Sequence, residues 1–191
     1  MDGRIATPPL ILPYRNQVPR IAPSAFIAPG ATVIGDVEIG EEANLWFGVI
    51  VRGDVHEIRI GSRTNVQDGT VIHGTRRKFA VRVGIEVTIG HMALIHACTL
   101  EDRSFVGMKA CVMDGAYVES GAMVAAGAVV TPGKRVPKRQ VWAGNPARYM
   151  RDVTDAELAR IDELAQLYSE LGAEYRTQVV GRALHPPVSA G

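Results

Sequence analysis

Aliphatic residues recur along most of this chain at every sixth position, a spacing that matches neither a helix nor a simple alternating strand. Ile21, Ile27, Val33, Ile39, Leu45 and Val51 hold one phase, and after three extra residues Ile60, Val66 and Ile72 continue it. Beyond a longer break come Val83, Ile89 and Ile95, then Leu100 after a spacing of five, then Val106, Val112, Val118, Val124 and Val130. Four positions after most of these stands a small or β-branched residue, including Ala25, Ala31, Ala43, Thr64, Thr70, Ala93, Ala110, Ala116, Ala122 and Ala128. Two positions in each repeat are therefore restricted to residue types that suit an interior.

Such a period predicts short strands that turn at every corner of a triangular coil, with large side chains filling the flats and small ones fitting the corners. Each coil leaves its backbone groups unpaired until the next stacks on it at about 4.8 Å, so the order of coils is fixed. A β-sandwich would need a period of two and turn signals every 8–12 residues, which this sequence lacks. The expectation is an all-β repeat, a parallel β-helix. Periodicity is silent on its hand, and the usual rule for parallel crossovers favours right-handed connections.

Two breaks in the period carry information. Residues 74–82, GTRRKFAVR, interrupt the coils and should project as a loop. After the turn-rich GKRVPKRQVWAGNPARYM, Thr154 and Glu157 form a capping box, in which hydroxyl and carboxylate satisfy free N–H groups at a helix start. The helix should run to about Arg176, with Leu158, Ile161, Leu164, Ala165, Tyr168, Leu171 and Tyr175 on one face. The expected organisation is a β-helix over residues 1–150 with coils from about residue 18, an amphipathic helix over 151–177 packed on its flank, and a mobile tail over 178–191.

Net charge is +1, from 21 Lys+Arg against 20 Asp+Glu, so there is no single-sign field to hold nucleic acid or an anionic membrane surface. Apolar runs stop well short of the roughly 20 residues that span a bilayer. Two cysteines, Cys98 and Cys111, are too few for a disulfide framework, and the N-terminal residues lack the pattern of a secretory signal. A soluble protein of the reducing cytoplasm is expected.

The histidines supply the candidate chemistry. If the loop adds no net face, His73 and His96 are both second residues of hexapeptides on the same face of successive coils. They should then stack about one strand spacing of 4.8 Å apart and point outward. Zinc–nitrogen bonds of about 2.0–2.1 Å in a tetrahedron set two ligand nitrogens roughly 3.3 Å apart, a separation that stacked imidazoles can reach. His91 is the third residue of a hexapeptide on a neighbouring face and should not reach that ion within its own chain. If three prisms pack around a threefold axis, His91 can complete a neighbour's site, making metal binding and trimerisation one event. The alternative is a solvated histidine ladder or interface hydrogen bonding; His56 and His185 have no such partners. Cys98 is read as a small buried thiol and not as a ligand.

At these residues the sequence resembles the gamma-class carbonic anhydrases, from about Ile21 to Tyr168. The resemblance is carried by Arg52-Gly53-Asp54, by NVQDGTVIHG with Gln67, Asp68 and His73, and by GHMALIHACTL with His91 and His96. GMKACVMDGAYV, VAAGAVVTPGK and VWAGNPAR also match the bacterial carbonic-anhydrase-like branch. The resemblance implies a left-handed parallel β-helix and a homotrimer, with His73 and His96 as ligands from one subunit and His91 from the next. It implies zinc, although three imidazoles serve Fe2+ and Co2+ as well. Gln67 would orient the hydroxide nucleophile toward carbon dioxide. Arg52, Asp54 and Asp68 would form ion pairs across the subunit interface, with a purely structural interface as the alternative. Tyr168 matches a tyrosine beside the site, with simple helix packing as its alternative.

The implied activity is reversible hydration of carbon dioxide to bicarbonate. One feature departs from the family pattern: the acidic residues that move protons are replaced by Val55 and by the basic run Arg76-Arg77-Lys78. Each hydration must export a proton, so proton transfer should be slow or dependent on buffer. Two other functions share the fold, namely acyltransferase or thioesterase chemistry, and a non-catalytic metal-binding trimeric scaffold.

Overall fold

The computed structural model describes residues 8–180, so residues 181–191 of the expected tail, with His185, lie outside the described residues. The chain forms a parallel β-helix with three faces. One face stacks the first part of Thr32–Ile39, the first part of Ile50–Ile60, Val71–His73, Leu94–His96, Cys111–Val112 and Val129–Val130. A second stacks Arg20–Ile21, the later parts of the same two long strands, Val81–Val83, Thr99–Leu100, Tyr117–Val118 and Arg135–Val136. The third carries Phe26–Ile27, Asn44–Leu45, Asn65–Val66, Thr88–Ile89, Phe105–Val106, Met123–Val124 and Gln140–Ala143, closed by the antiparallel strand Arg148–Asp152.

The six-residue phase is the core. Val33, Val51, Ile72, Ile95 and Val112 stack in register on one face and are fully buried, as are Leu45, Val66, Ile89 and Val106 on another. The corner residues Ala31, Ala43, Thr64, Thr70 and Ala128 are equally buried, so nothing larger fits there. Thr64 and Thr70 satisfy their hydroxyls by donating to the carbonyls of Gly84 and Gly90 one coil on, at 2.8 and 3.1 Å.

Two irregular segments shape the outer surface. The three residues added after Val51 lie in a bulge: Gly35 pairs with Gly53, but the next paired residues are Val37 and Ile58. Asp54 and His56 stand on this bulge, half buried. The strand Leu10–Leu12 precedes the coils and pairs in parallel with Thr32–Ile34, an addition outside the six-residue phase.

The capping box predicted at Thr154 and Glu157 is formed, and the helix runs Asp155–Tyr175 before a single wider turn at Arg176–Val180. It lies across the third face. Ile161, Ala165, Ser169 and Gly172 are buried beneath it. A Cβ at Gly172 would stand 3.2 Å from Asn44 Cβ and 3.3 Å from Phe26 Cβ, so glycine permits the closest approach of helix to coil. Trp46 packs edge-on against Tyr168 and Tyr175 with ring centroids 5.6 and 5.2 Å away. Arg103 grips Asp162 with two bonds of 2.7 Å, and Ser169 donates to Glu42 at 2.7 Å.

Candidate metal centre

Strands Val71–His73 and Leu94–His96 are adjacent and parallel, pairing Ile72 with Ile95 and His73 with His96. Strand alternation sends both isoleucines into the core and both histidines out. His73 Nδ1 lies 3.3 Å from His96 Nε2, with ring centroids 5.4 Å apart.

The remaining nitrogen of each ring meets a carboxylate. His73 Nε2 is 3.0 Å from Asp54 Oδ1, and His96 Nδ1 is 2.6 Å from Asp114 Oδ1. Asp54 also takes a hydrogen bond from Arg52, and Asp114 takes one from the Thr75 hydroxyl. Burial works against ionisation of Asp54, yet bonds from His73 and Arg52 and the Arg52 charge outweigh it and hold the carboxyl below its ordinary range. Burial likewise opposes Asp114, and bonds from Thr75 and His96 hold it low. An ionised carboxylate only accepts, so an imidazole in its neutral form, the form that binds a metal, would donate from the nitrogen facing it. With both rings in that form, the two facing nitrogens present lone pairs to each other across 3.3 Å. That arrangement is repulsive until a cation lies between them, and its spacing suits two ligands of one tetrahedral ion.

His91 stands apart from this pair. It follows Thr88–Ile89 on the third face, and its Nδ1 is 2.8 Å from Asp68 Oδ2. Among the described residues, no group of three or more His, Cys, Asp or Glu side chains is placed to hold a metal ion within one chain. Of the expected ion-pair residues, Arg52 and Asp54 come together in one chain, whereas Asp68 is bound to His91.

Gln67 is 6% exposed, and its amide donates to Asn65 Oδ1 at 3.2 Å; Asn65 in turn donates to Thr88 at 2.9 Å. This chain of amides fixes the Gln67 rotamer, and the Asn65 link was not evident in the sequence. Tyr168 lies beside Gln67 and Asp68. Burial first, and then the Asp68 charge, push its hydroxyl above the ordinary range, with Gln67 working the other way. It also packs on Trp46 in the contact between helix and coil. Cys98 is 2% exposed and burial drives its thiol far up, which makes it a core residue and a poor ligand. His56 accepts from the Glu57 backbone N–H at 2.9 Å. Asp114 and Thr75 went unremarked in the sequence because neither lies in a repeat position that predicts contact with His96.

No protein-family model matches the chain. Gamma carbonic anhydrase 1, mitochondrial, of Arabidopsis thaliana is 44% identical over 168 residues, covering 85% of this chain and 61% of that protein. The carbonic anhydrase of Geobacillus kaustophilus is 35% identical over 167 residues, covering 87% of this chain and 91% of that protein. The chain belongs to the gamma carbonic anhydrase family. It spans 61% and 58% of the lengths of the two Arabidopsis gamma carbonic anhydrases it matches, numbers 1 and 2. Among solved structures, a hexapeptide transferase family protein from Anaplasma phagocytophilum superposes with a TM-score of 0.84 at 43% identity, over 87% of this chain and 98% of that one. Among the described residues no helix is long and apolar enough to cross a membrane.

Proposed function

We propose that the protein catalyses the reversible hydration of carbon dioxide at metal sites shared between the subunits of a homotrimer. The observation that carries the reading is the facing pair His73 Nδ1 and His96 Nε2, 3.3 Å apart, each with its other nitrogen on a carboxylate. Histidine ligands characteristically donate their second N–H in this way. His91 also meets a carboxylate, with Nδ1 2.8 Å from Asp68, and in the proposal it completes the site of a neighbouring subunit. Zinc is the proposed ion, with Fe2+ and Co2+ as chemically admissible replacements.

Self-association is supported by the surface beside the histidines. Ile50, Val71, Leu94, Cys111 and Val129 are in register along the same face, with Ile50 and Leu94 39% and 37% exposed. Met92 and Met108, near His91, are more than half exposed. An apolar row flanking incomplete ligand sets suits a second copy of the chain.

A bound divalent ion supplies Lewis acidity, lowering the pKa of water from about 15.7 to about 7. Gln67, held by Asn65, orients the attacking oxygen, and Tyr168 helps to wall the site beside it. Arg52 keeps Asp54 ionised against His73. The mobile-proton step has no acidic side chain in place of Val55, and the loop of Arg76, Arg77 and Lys78 bears the opposite charge. Unpaired Cys98 and Cys111 suit a reducing compartment, for which the cytoplasm is the proposal.

The deciding experiment is stopped-flow carbon dioxide hydration by metal-quantified protein in concentrated buffer. Turnover above the buffer blank supports the reading, and none from fully metallated protein overturns it. Acyl transfer is the second reading, favoured by the transferase names of similar structures. Metal-independent acyl transfer would bring it forward.

A further inference from the structure

We propose that Asp114, braced by Thr75, is a positioning residue that keeps the proton of neutral His96 on Nδ1 and so presents Nε2 to the space shared with His73. Asp114 belongs to the coil above His96: Ile95 pairs with Val112, which makes Asp114 the counterpart of Ala97 one coil on. Its backbone has little freedom. The N–H of Gly115 donates to Ala97 O at 2.7 Å, the N–H of Ala97 donates to His73 O at 2.8 Å, and the N–H of Gly133 donates to Asp114 O at 2.8 Å. The carboxylate is thus referenced to the strands that carry both histidines.

Its two oxygens have different tasks. Oδ1 meets His96 Nδ1 at 2.6 Å, while Oδ2 accepts from the Thr75 hydroxyl. Thr75 is itself held, since its N–H donates to Phe79 O at 3.0 Å, and the Phe79 ring covers Gly115 so closely that a Cβ there would stand 3.1 Å from it. The loop that interrupts the repeat is therefore pinned at its base to the residue that orients His96. With Oδ2 occupied, the carboxylate cannot swing away from the imidazole without losing the Thr75 bond.

An imidazole without such a partner can place its proton on either nitrogen. A proton on Nε2 would point at His73 and remove the lone pair that a metal needs. The tautomer part of the proposal stands on the geometry alone; its consequence for metal affinity rests on the function proposed above.

The test compares wild type with Asp114→Ala, Asp114→Asn and Thr75→Val, each checked for native circular dichroism. Long-range 1H–15N spectra of metal-free protein at pH 8 report which His96 nitrogen is protonated, and chelator competition reports zinc affinity. Wild type should show the Nδ1–H form. Asp114→Ala should move the proton wholly or partly to Nε2 and weaken zinc binding by about 10–100-fold. Asp114→Asn keeps an acceptor oxygen and should restore most of both, and Thr75→Val should give a smaller loss than Asp114→Ala. An Nδ1–H form that persists in Asp114→Ala overturns the proposal. A changed tautomer with unchanged zinc affinity overturns its metal consequence. If wild type binds no zinc while the tautomer still responds, the positioning role stands and the metal-dependent function fails.

Discussion

His91 Nδ1 lies 2.8 Å from the carboxylate of Asp68, and among the described residues its Nε2 has no hydrogen-bond partner. The pair is more open than its counterparts: the His91 side chain is 36% exposed, against 17% for His73. In the shared-site proposal, that exposed nitrogen is the one His91 offers to a second copy of the chain.

His91→Ala should therefore lose bound zinc although His73 and His96 are untouched. The expected loss of affinity exceeds the about 10–100-fold that removal of a ligand's supporting partner costs. His56→Ala, altering a histidine whose ring accepts from the adjacent Glu57 backbone N–H, should leave metal content at the wild-type level. Metal analysis after gel filtration decides the matter, and a metal-replete His91→Ala protein would refute the shared site.

Leu94 stands in the apolar row beside His96. In the proposed trimer, Leu94→Arg should place an unpaired charge at the subunit contact, where such a charge costs several kcal/mol and weakens association by more than about 100-fold. Sedimentation should find monomers, and bound metal should fall with them. A trimer that persists in Leu94→Arg would remove this face from the interface.

Catalysis should be limited by proton export. At saturating carbon dioxide, turnover should rise with the concentration of an imidazole-type buffer at fixed pH and ionic strength, while efficiency at low substrate stays nearly constant. Gln67→Ala should do the opposite, lowering low-substrate efficiency about tenfold, the worth of one hydrogen bond of about 1–1.5 kcal/mol, with metal content unchanged. Buffer-independent turnover would mean that another group of the protein carries the proton.

The helix start should set an acid limit on docking. Glu157 is held at about 2, against an ordinary 4.5, first by its bond from Arg151 and then by the Thr154 backbone N–H. A depressed carboxyl contributes stability that is complete above its unfolded value and lost as pH falls through its folded value, here between 4.5 and about 2. Thermal melts of Glu157→Gln should accordingly lose less between those limits than wild type. Thr154→Ala should cost about 1 kcal/mol at neutral pH. Identical acid limbs in wild type and Glu157→Gln would show that this cap does not govern acid stability.

The sequence was most informative where structure repeats. Counting by sixes from Ile72 to Ile95 across an intervening loop brought His73 beneath His96, and the observed pairing has that register. The capping residues Thr154 and Glu157 and the buried stripe of Ile161 and Ala165 were legible because helix signals are local. Gly172 and Ser169 were not, since their value depends on Phe26, Asn44 and Glu42 far away in the chain. The strand Leu10–Leu12 was missed because its pairing with Thr32–Ile34 needs no six-residue phase.

What the sequence by itself determined was therefore the coil: which side chains face inward, which face each one occupies, and that His73 and His96 share one while His91 does not. In a solenoid each coil touches only its neighbours, so register is a matter of counting and a constant period suffices. The tertiary structure alone decided which carboxylate each histidine received. Asp54 reaches His73 from a bulge, and Asp114 reaches His96 from a corner one coil on, braced by a loop residue. Those directions depend on where irregular segments leave the repeat and on what packs against them, and a period carries no record of either.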